Sequence, residues 1–127
     1  MIGGAGIDVT PVARMARWMG DHGTRLRDVF TPAERAFCDS GAGETRSARY
    51  AAAFAAKEAV MKALGTGWRS DVQWVQIDTP PAGHSAAARL TGHAAVVAAG
   101  QGIARVLVTT ALVRGAAIAT AIAERHA

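Results

Sequence analysis

The spacing of apolar positions divides the chain into a short apolar start, a run of amphipathic helices and a late set of short strands. The longest periodic stretch, roughly residues 45–64, reads as a central helix. Ala, Leu, Met, Lys and Glu, all strong helix formers, fill nearly every position of its second half. Ala52, Ala56, Val60 and Ala63 recur at the spacing of a core-facing stripe. Phe54, Glu58 and Lys62, four residues apart each time, form a neighbouring stripe at the edge of that face. Gly65 and Gly67 tolerate positive φ and supply the stop.

Residues 1–7 are apolar and glycine-rich, which fits a strand whose glycines admit a close backbone neighbour. The Gly-Lys-Ser/Thr ending of a phosphate loop is absent. Asp8 follows directly, and then Thr10 as N-cap with Pro11 at the first helical position predicts a helix. Its stripe is Val12, Met15, Ala16 and Met19, and Gly20 is its expected stop. Thr31-Pro32-Ala33-Glu34 has the form of a capping box, opening a short helix through about Cys38. Residues 40–44 read as a loop. Residues 74–79 read as a short strand closed by Pro80-Pro81, with residues 86–90 as its hairpin partner across Gly83. A helix from Thr91 or Gly92 through Ala99 ends at Gly100 and Gly102. Residues 105–110 and 116–123 pair across a turn at Arg114-Gly115. Helices early and strands late, with one strand at the start, predict an α+β fold: a small, mostly antiparallel sheet packed with a long central helix. Residues 1–127 show no repeat, linker or low-complexity tail and read as a single domain.

Charge narrows the partners without choosing one. The 127 residues carry a formal net charge of +4 and a pI near 10.2, which favours nucleic acid, an acidic protein or a phosphorylated small molecule. Arg14, Arg17, Arg25, Arg27 and Arg35 concentrate that charge in the first third. No recognition helix, aromatic ribonucleoprotein motif or zinc site accompanies it, so no nucleic-acid partner is expected. Cys38 is the only cysteine, which excludes an intramolecular disulfide and fits a reducing, cytoplasmic setting. At a helix end it reads as a small packed hydrophobe. His22, His84, His93 and His126 lack the spacing of zinc ligands. No apolar run approaches the ~20 residues of a membrane span, and the start lacks the basic and apolar blocks of a signal peptide. By spacing alone, Glu58 and Lys62 are a surface helix pair worth about 0.3–0.5 kcal/mol, and Asp8 is an ordinary aspartate at a strand-to-helix junction.

Three blocks taken together say more. Gly6-Ile7-Asp8, then Phe30-Thr31-Pro32-Ala33-Glu34, then Phe54-Ala55-Ala56-Lys57-Glu58-Ala59 with Lys62-Ala63-Leu64-Gly65-Thr66-Gly67, followed by Leu90-Thr91-Gly92, resemble the holo-acyl-carrier-protein synthases. These are the small type of 4′-phosphopantetheinyl transferase. The resemblance covers most of the chain in order. It implies an α+β domain that assembles as a homotrimer, with active sites at subunit interfaces. The implied reaction moves phosphopantetheine from coenzyme A onto a serine of an apo acyl carrier protein. By resemblance, Asp8 and Glu58 hold Mg2+, and Glu58 and Lys62 are the catalytic residues. Lys62 also lies beside the coenzyme A phosphates, and Gly65, Thr66 and Gly67 form the turn against the coenzyme. Arg14 and Phe54 match positions that dock the acidic carrier protein. A hard cation held by one or two carboxylates plus phosphate oxygens is ordinary magnesium chemistry. A lysine one turn away adds a point charge for the same phosphates. The serine proton goes to Glu58 or to a metal-bound water, and the sequence leaves both open.

The chain also departs from the family pattern. The Ser-His or Thr-His pair near the end of the penultimate strand is Ala111-Leu112 here. The arginine four residues ahead of Lys57 is Ala53, and the Gly-x-Pro between the middle strands is Gly83-His84-Ser85. Arg49 and Arg114 are the candidates to replace the missing cation. The alternative to a working transferase is a repurposed scaffold. It docks a carrier protein and acts on, or only binds, a carrier-bound acyl or polyketide chain without transferring phosphopantetheine.

Overall fold

The computed structural model describes residues 1–67 and 71–127. The first strand, β1 (Ile2–Pro11), leads into α1 (Val12–His22), a single turn α2 (Leu26–Val29), α3 (Pro32–Asp39) and the long α4 (Gly43–Leu64). Next come two short strands, β2 (Ile77–Asp78) and β3 (Ser85–Ala87), then β4 (Arg89–Leu90) and α5 (Gly92–Gly100). The chain ends on the hairpin β5 (Ile103–Val113) and β6 (Ala116–Arg125). The main sheet is antiparallel in the order β1-β6-β5-β3, and β2 pairs separately with β4. This is the α+β architecture read from the pattern, with α4 laid across one face of the sheet.

The helix can lie that close because the sheet offers it almost no side chains. On β6 the facing positions are Ala117, Ala119, Ala121 and Ala123, all fully buried. On β1 they are Gly4 and Gly6. A Cβ on Gly4 would sit 2.0 Å from the Ala63 carbonyl oxygen, and one on Gly6 would sit 2.1 Å from that of Ala59. Neither oxygen can yield without opening α4, so the glycines are required by contact and not by φ. The helix meets this surface with Ala52, Ala56, Ala59, Val60 and Ala63, all buried. Gly65, left-handed at φ 70°, ends it as the sequence predicts.

A second set of contacts ties α3 and the segment before β2 to α4. The Thr31–Glu34 capping box forms as predicted, and the Glu34 side chain then does more than cap. Its Oε1 accepts from the Thr31 amide at 2.8 Å and lies 2.7 Å from Lys57 Nζ. Its Oε2 accepts from the amide and the hydroxyl of Thr79, each at 2.8 Å. Lys57 Nζ donates to the carbonyls of Trp74, at 2.9 Å, and Ile77. Both side chains are almost wholly out of water. Burial pulls the Lys57 ammonium below its usual range, and the Glu34 carboxylate opposes that pull.

Several boundaries differ from expectation, and at β1 and residues 85–90 the reason is that sheet pairing overrides local signals. β1 runs past Asp8 because Thr10 and Pro11 still pair with Ala117 and Ala116. Pro11 is therefore the N-cap and Val12 the first helical residue, while the Thr10 hydroxyl turns back to Asp8 at 3.2 Å. Gly20 does not stop α1, which continues to His22. Residues 74–76 form a 3₁₀ turn before a two-residue β2. Residues 85–90 split, the first part pairing with β5 and the second with β2. The final hairpin turns at Arg114 and Gly115, both at positive φ, as the Arg-Gly pair predicts.

Gly6→Ala is expected to lower the free energy of unfolding by about 2 kcal/mol or more, since the added methyl meets backbone and not a movable side chain. Gly20→Ala, in an exposed helical position with open space around it, is expected to raise it by about 0.5 kcal/mol. Urea unfolding of both variants checks the contact. Equal stability of Gly6→Ala and the parent protein would show that β1 and α4 do not touch in this way.

Candidate active site

Asp8 sits on the helix-facing side of β1, two residues beyond Gly6, so the close approach that Gly6 permits carries its carboxylate to the flank of α4. Two side chains of the predicted edge stripe meet it there. Lys62 Nζ is 3.0 Å from Asp8 Oδ1 and donates also to the Ile7 carbonyl at 2.9 Å. The Glu58 carboxyl, one turn earlier on α4, faces the same cleft as Asp8 and lies close enough for the Asp8 charge to act on it. Desolvation, first, and then the negative charge of Asp8 hold the Glu58 carboxyl above the usual carboxylate range, while the Lys62 and Arg14 cations pull the other way. Burial and the neighbouring Asp8 charge thus act together to raise the affinity of Glu58 for a proton.

Asp8 and Glu58 open onto a cleft of about 490 Å³ between α1, α2 and the flank of α4. Arg14 and Phe54 line it, as do Met15, Trp18, Val29 and Trp74, with Arg25 and Asp28 completing the wall. The Phe54 and Trp74 rings lie 5.1 Å apart, tilted by 31°. The structure thus gathers Asp8, Glu58, Arg14 and Phe54 around one opening, with Lys62 on Asp8 at its edge. Gly65, Thr66 and Gly67 stand apart from the cleft, one turn past Lys62. There the Thr66 amide closes the helix on the Met61 carbonyl at 3.1 Å, and Gly65 and Gly67 hold positive φ.

Trp18, Trp74 and Lys57 carry more of this site than the sequence reading gave them. Trp18 follows Met15 by three residues on the α1 stripe, which was a usable signal. Trp74 is placed by the Lys57 hold on its carbonyl, which no local spacing announces.

The positions that depart from the family pattern fall elsewhere. Ala53 lines a second cleft of about 330 Å³ between α3, α4 and residues 78–89. Arg49 lines the same cleft, with its guanidinium 4.4 Å over the Phe37 ring and its Nη1 donating to the Phe37 carbonyl. Arg114, the other candidate replacement, is exposed in the β5–β6 turn. Ala111 is exposed on β5, and Leu112 is half-exposed beside it. Cys38 also borders the second cleft, but burial pushes its thiol up to about 12, which removes it as a nucleophile. Among the described residues no group of three or more His, Cys, Asp or Glu side chains gathers as a metal site, and no helix is long and apolar enough to cross a membrane.

Residues 4–120 match the family model of the 4′-phosphopantetheinyl transferase superfamily. The chain is 44% identical to a holo-[acyl-carrier-protein] synthase of Anaeromyxobacter dehalogenans, across 98% of this chain and 97% of that protein. It is 40% identical to one of Koribacter versatilis, across 98% and 99%. Among solved structures it superposes on the holo-[acyl-carrier-protein] synthase of Neisseria meningitidis with a TM-score of 0.78 and 26% identity, covering 98% of this chain and 100% of that one. The Bacillus anthracis holo-(acyl-carrier-protein) synthase, solved in complex with CoA (3′,5′-ADP), gives a TM-score of 0.77 at 23% identity, with 99% of each chain covered.

The raised proton affinity of Glu58 has a stability consequence with a fixed sign. A carboxyl that binds its proton more tightly folded than unfolded favours the fold while protonated. That advantage is complete below the unfolded-state value and is lost as pH rises through the higher folded one. Metal-free protein is expected to lose stability over that window, and Glu58→Gln is expected to flatten the slope there. Thermal melts in chelator at stepped pH check this. An unchanged slope in Glu58→Gln would mean that Glu58 is not the group strained by Asp8.

Proposed function

The chain belongs to the 4′-phosphopantetheinyl transferase superfamily, and we propose that within it the protein works as a holo-acyl-carrier-protein synthase, with Asp8, Glu58 and Lys62 as its reacting centre. It is a transferase that moves 4′-phosphopantetheine from coenzyme A to a serine of an apo acyl carrier protein. The observation that carries the site assignment is the meeting of Asp8, Glu58 and Lys62 at the mouth of one cleft.

The carboxylate pair fits a magnesium ion. Its donors are hard oxygens, the Asp8 charge bears on the Glu58 carboxyl, and one or two carboxylates are the usual protein share of such a site. Asp8 and Glu58 would hold the ion, and when bound it would offset negative charge on the phosphates and on the leaving group. The rest falls to side chains of this chain. The Lys62 ammonium, half in water, reaches toward the pyrophosphate as a compact point charge. Gly65, Thr66 and Gly67 give the coenzyme a turn built of small residues. The carrier serine oxygen forms the new bond to the phosphorus that bears the pantetheine arm, the bond from that phosphorus to 3′,5′-ADP breaks, and the serine proton passes to Glu58. A carboxyl with raised proton affinity suits that last role. Arg14 at the cleft wall attracts an acidic carrier, and Phe54 offers it an apolar contact. Arg49, beside Ala53 in the second cleft, supplies the cation that the family places at residue 53.

We also infer a homotrimer. The sheet face away from α4 carries Ile7 and Val9, exposed to 60% and 54%. Ile118, Ile122, Leu107 and Val113 continue this apolar surface across β6 and β5. An apolar sheet face of this extent is the kind that a second copy covers. A cytoplasmic location follows from the reaction and from a lone, unpaired cysteine.

Incubation of an apo carrier protein with this protein, coenzyme A and Mg2+ is expected to add one phosphopantetheine, read by intact-protein mass spectrometry. Glu58→Ala and Asp8→Ala are each expected to cut the rate at least about a hundredfold. No mass gain, with a known transferase active on the same carrier, would leave the repurposed scaffold as the answer. Light scattering after gel filtration is expected to give three times the chain mass, and Val9→Arg is expected to give monomer. A parent protein that runs as monomer would refute the assembly.

A further inference from the structure

We propose that Lys62 stands in for the metal ion in the free protein: its ammonium closes the cation site on Asp8, and the coenzyme phosphates open the site by drawing that ammonium away. The inference rests on the reading of Asp8 and Glu58 as the cation site.

Both oxygens of Asp8 are engaged. Oδ1 is 3.0 Å from Lys62 Nζ, and Oδ2 accepts from the Thr10 hydroxyl at 3.2 Å. The Ile7 carbonyl is a second anchor for the ammonium at 2.9 Å. A divalent ion on Asp8 and an ammonium on the same oxygen are like charges at contact distance, so one excludes the other. Lys62 can leave cheaply. Its side chain is 52% exposed, against 11% for Asp8, and its four-carbon stem is flexible. Its position supplies the destination, because Lys62 lies in the last turn of α4, between Asp8 and the Gly65–Gly67 turn. A phosphate there competes for the ammonium with Asp8. The Thr10 hydroxyl can stay, since a hydroxyl is compatible with a metal-bound carboxylate.

Binding of metal and coenzyme is therefore mutually favourable, each raising the affinity for the other by the same factor. A free protein with Lys62 in place holds little magnesium. Such a protein also presents a neutralised Asp8 to the cleft, and the cation site forms only when the donor substrate is there to share the ion.

Manganese titration followed by electron paramagnetic resonance, without coenzyme, tests this on the parent protein, Lys62→Met, Lys62→Arg and Asp8→Asn. Lys62→Met is expected to bind Mn2+ about tenfold or more tightly than the parent, and Lys62→Arg to stay near the parent. With saturating coenzyme A the gap between parent and Lys62→Met is expected to close. Equal affinities of parent and Lys62→Met without coenzyme overturn the inference, and the cation-site reading survives that result if Asp8→Asn abolishes binding. Parent-like binding by Asp8→Asn overturns both. A gap that persists in full under coenzyme A overturns the displacement by phosphate.

Discussion

The contact between β1 and α4 governs this molecule. Gly4 and Gly6 bring a strand backbone against the carbonyls of Ala63 and Ala59 at a separation that no Cβ permits. The approach fixes where the next helix-facing residue of β1 must lie. That residue is Asp8, and at this separation it reaches two side chains of α4 at once, Glu58 and Lys62. A larger residue at Gly6 would lift the strand and move Asp8 with it. The alanines of β6 belong to the same requirement, since Ala119 pairs with Asp8 and lies flat beneath the helix. The high alanine content is thus the cost of holding three charged groups together on an otherwise close-packed surface.

The buried Glu34–Lys57 pair does the complementary work on the other side of α4. A buried ion pair is often no better for stability than apolar side chains of the same volume. This one is saturated: Glu34 accepts from Thr31 and Thr79, and Lys57 donates to the Trp74 and Ile77 carbonyls. Its contribution is register. It fixes α3 and residues 74–79 relative to α4, and so sets Trp74 against Phe54 as a wall of the cleft. Losing either partner strands a charge in the core, which typically costs about 3–5 kcal/mol. Lys57 and Glu58 are adjacent in sequence and serve opposite ends: one is buried and holds the scaffold, the other is half-exposed at the cleft where the proposed chemistry lies.

Much of this was legible before any coordinates, and the parts that were not share a cause. The central helix, its glycine stop, the Thr31 capping box and the Arg114-Gly115 hairpin are set by nearby residues, so their signals are local. The apolar glycine-rich start suggested close backbone approach, and Gly4 and Gly6 make it. The Glu58–Lys62 stripe was visible by period, but its meeting with Asp8 depends on a contact 50 residues away in sequence, which spacing cannot supply. The helix start at Thr10 and the stop at Gly20 were misplaced because pairing with β6 and packing on α4 outweigh a capping preference of about 1 kcal/mol. By sequence Glu34 is a cap alone, since the cap is within its own helix and Lys57 is not.

Charge balance at the cleft accounts for why the site needs partners to be complete. Asp8 and Glu58 face Lys62 and Arg14, two negative groups against two positive ones, and the free site is near neutral. A pyrophosphate brought beside it adds negative charge that these four groups cannot offset, and an acidic carrier adds more. At the proposed site, Lys62 cannot serve Asp8 and the phosphates at once, and a divalent cation on the two carboxylates would fill the charge shortage left when the coenzyme binds. The basic surplus of the chain as a whole draws both anionic substrates in. The deficit at the centre then makes their joint presence, and not the presence of either alone, the condition under which the proposed cation is held.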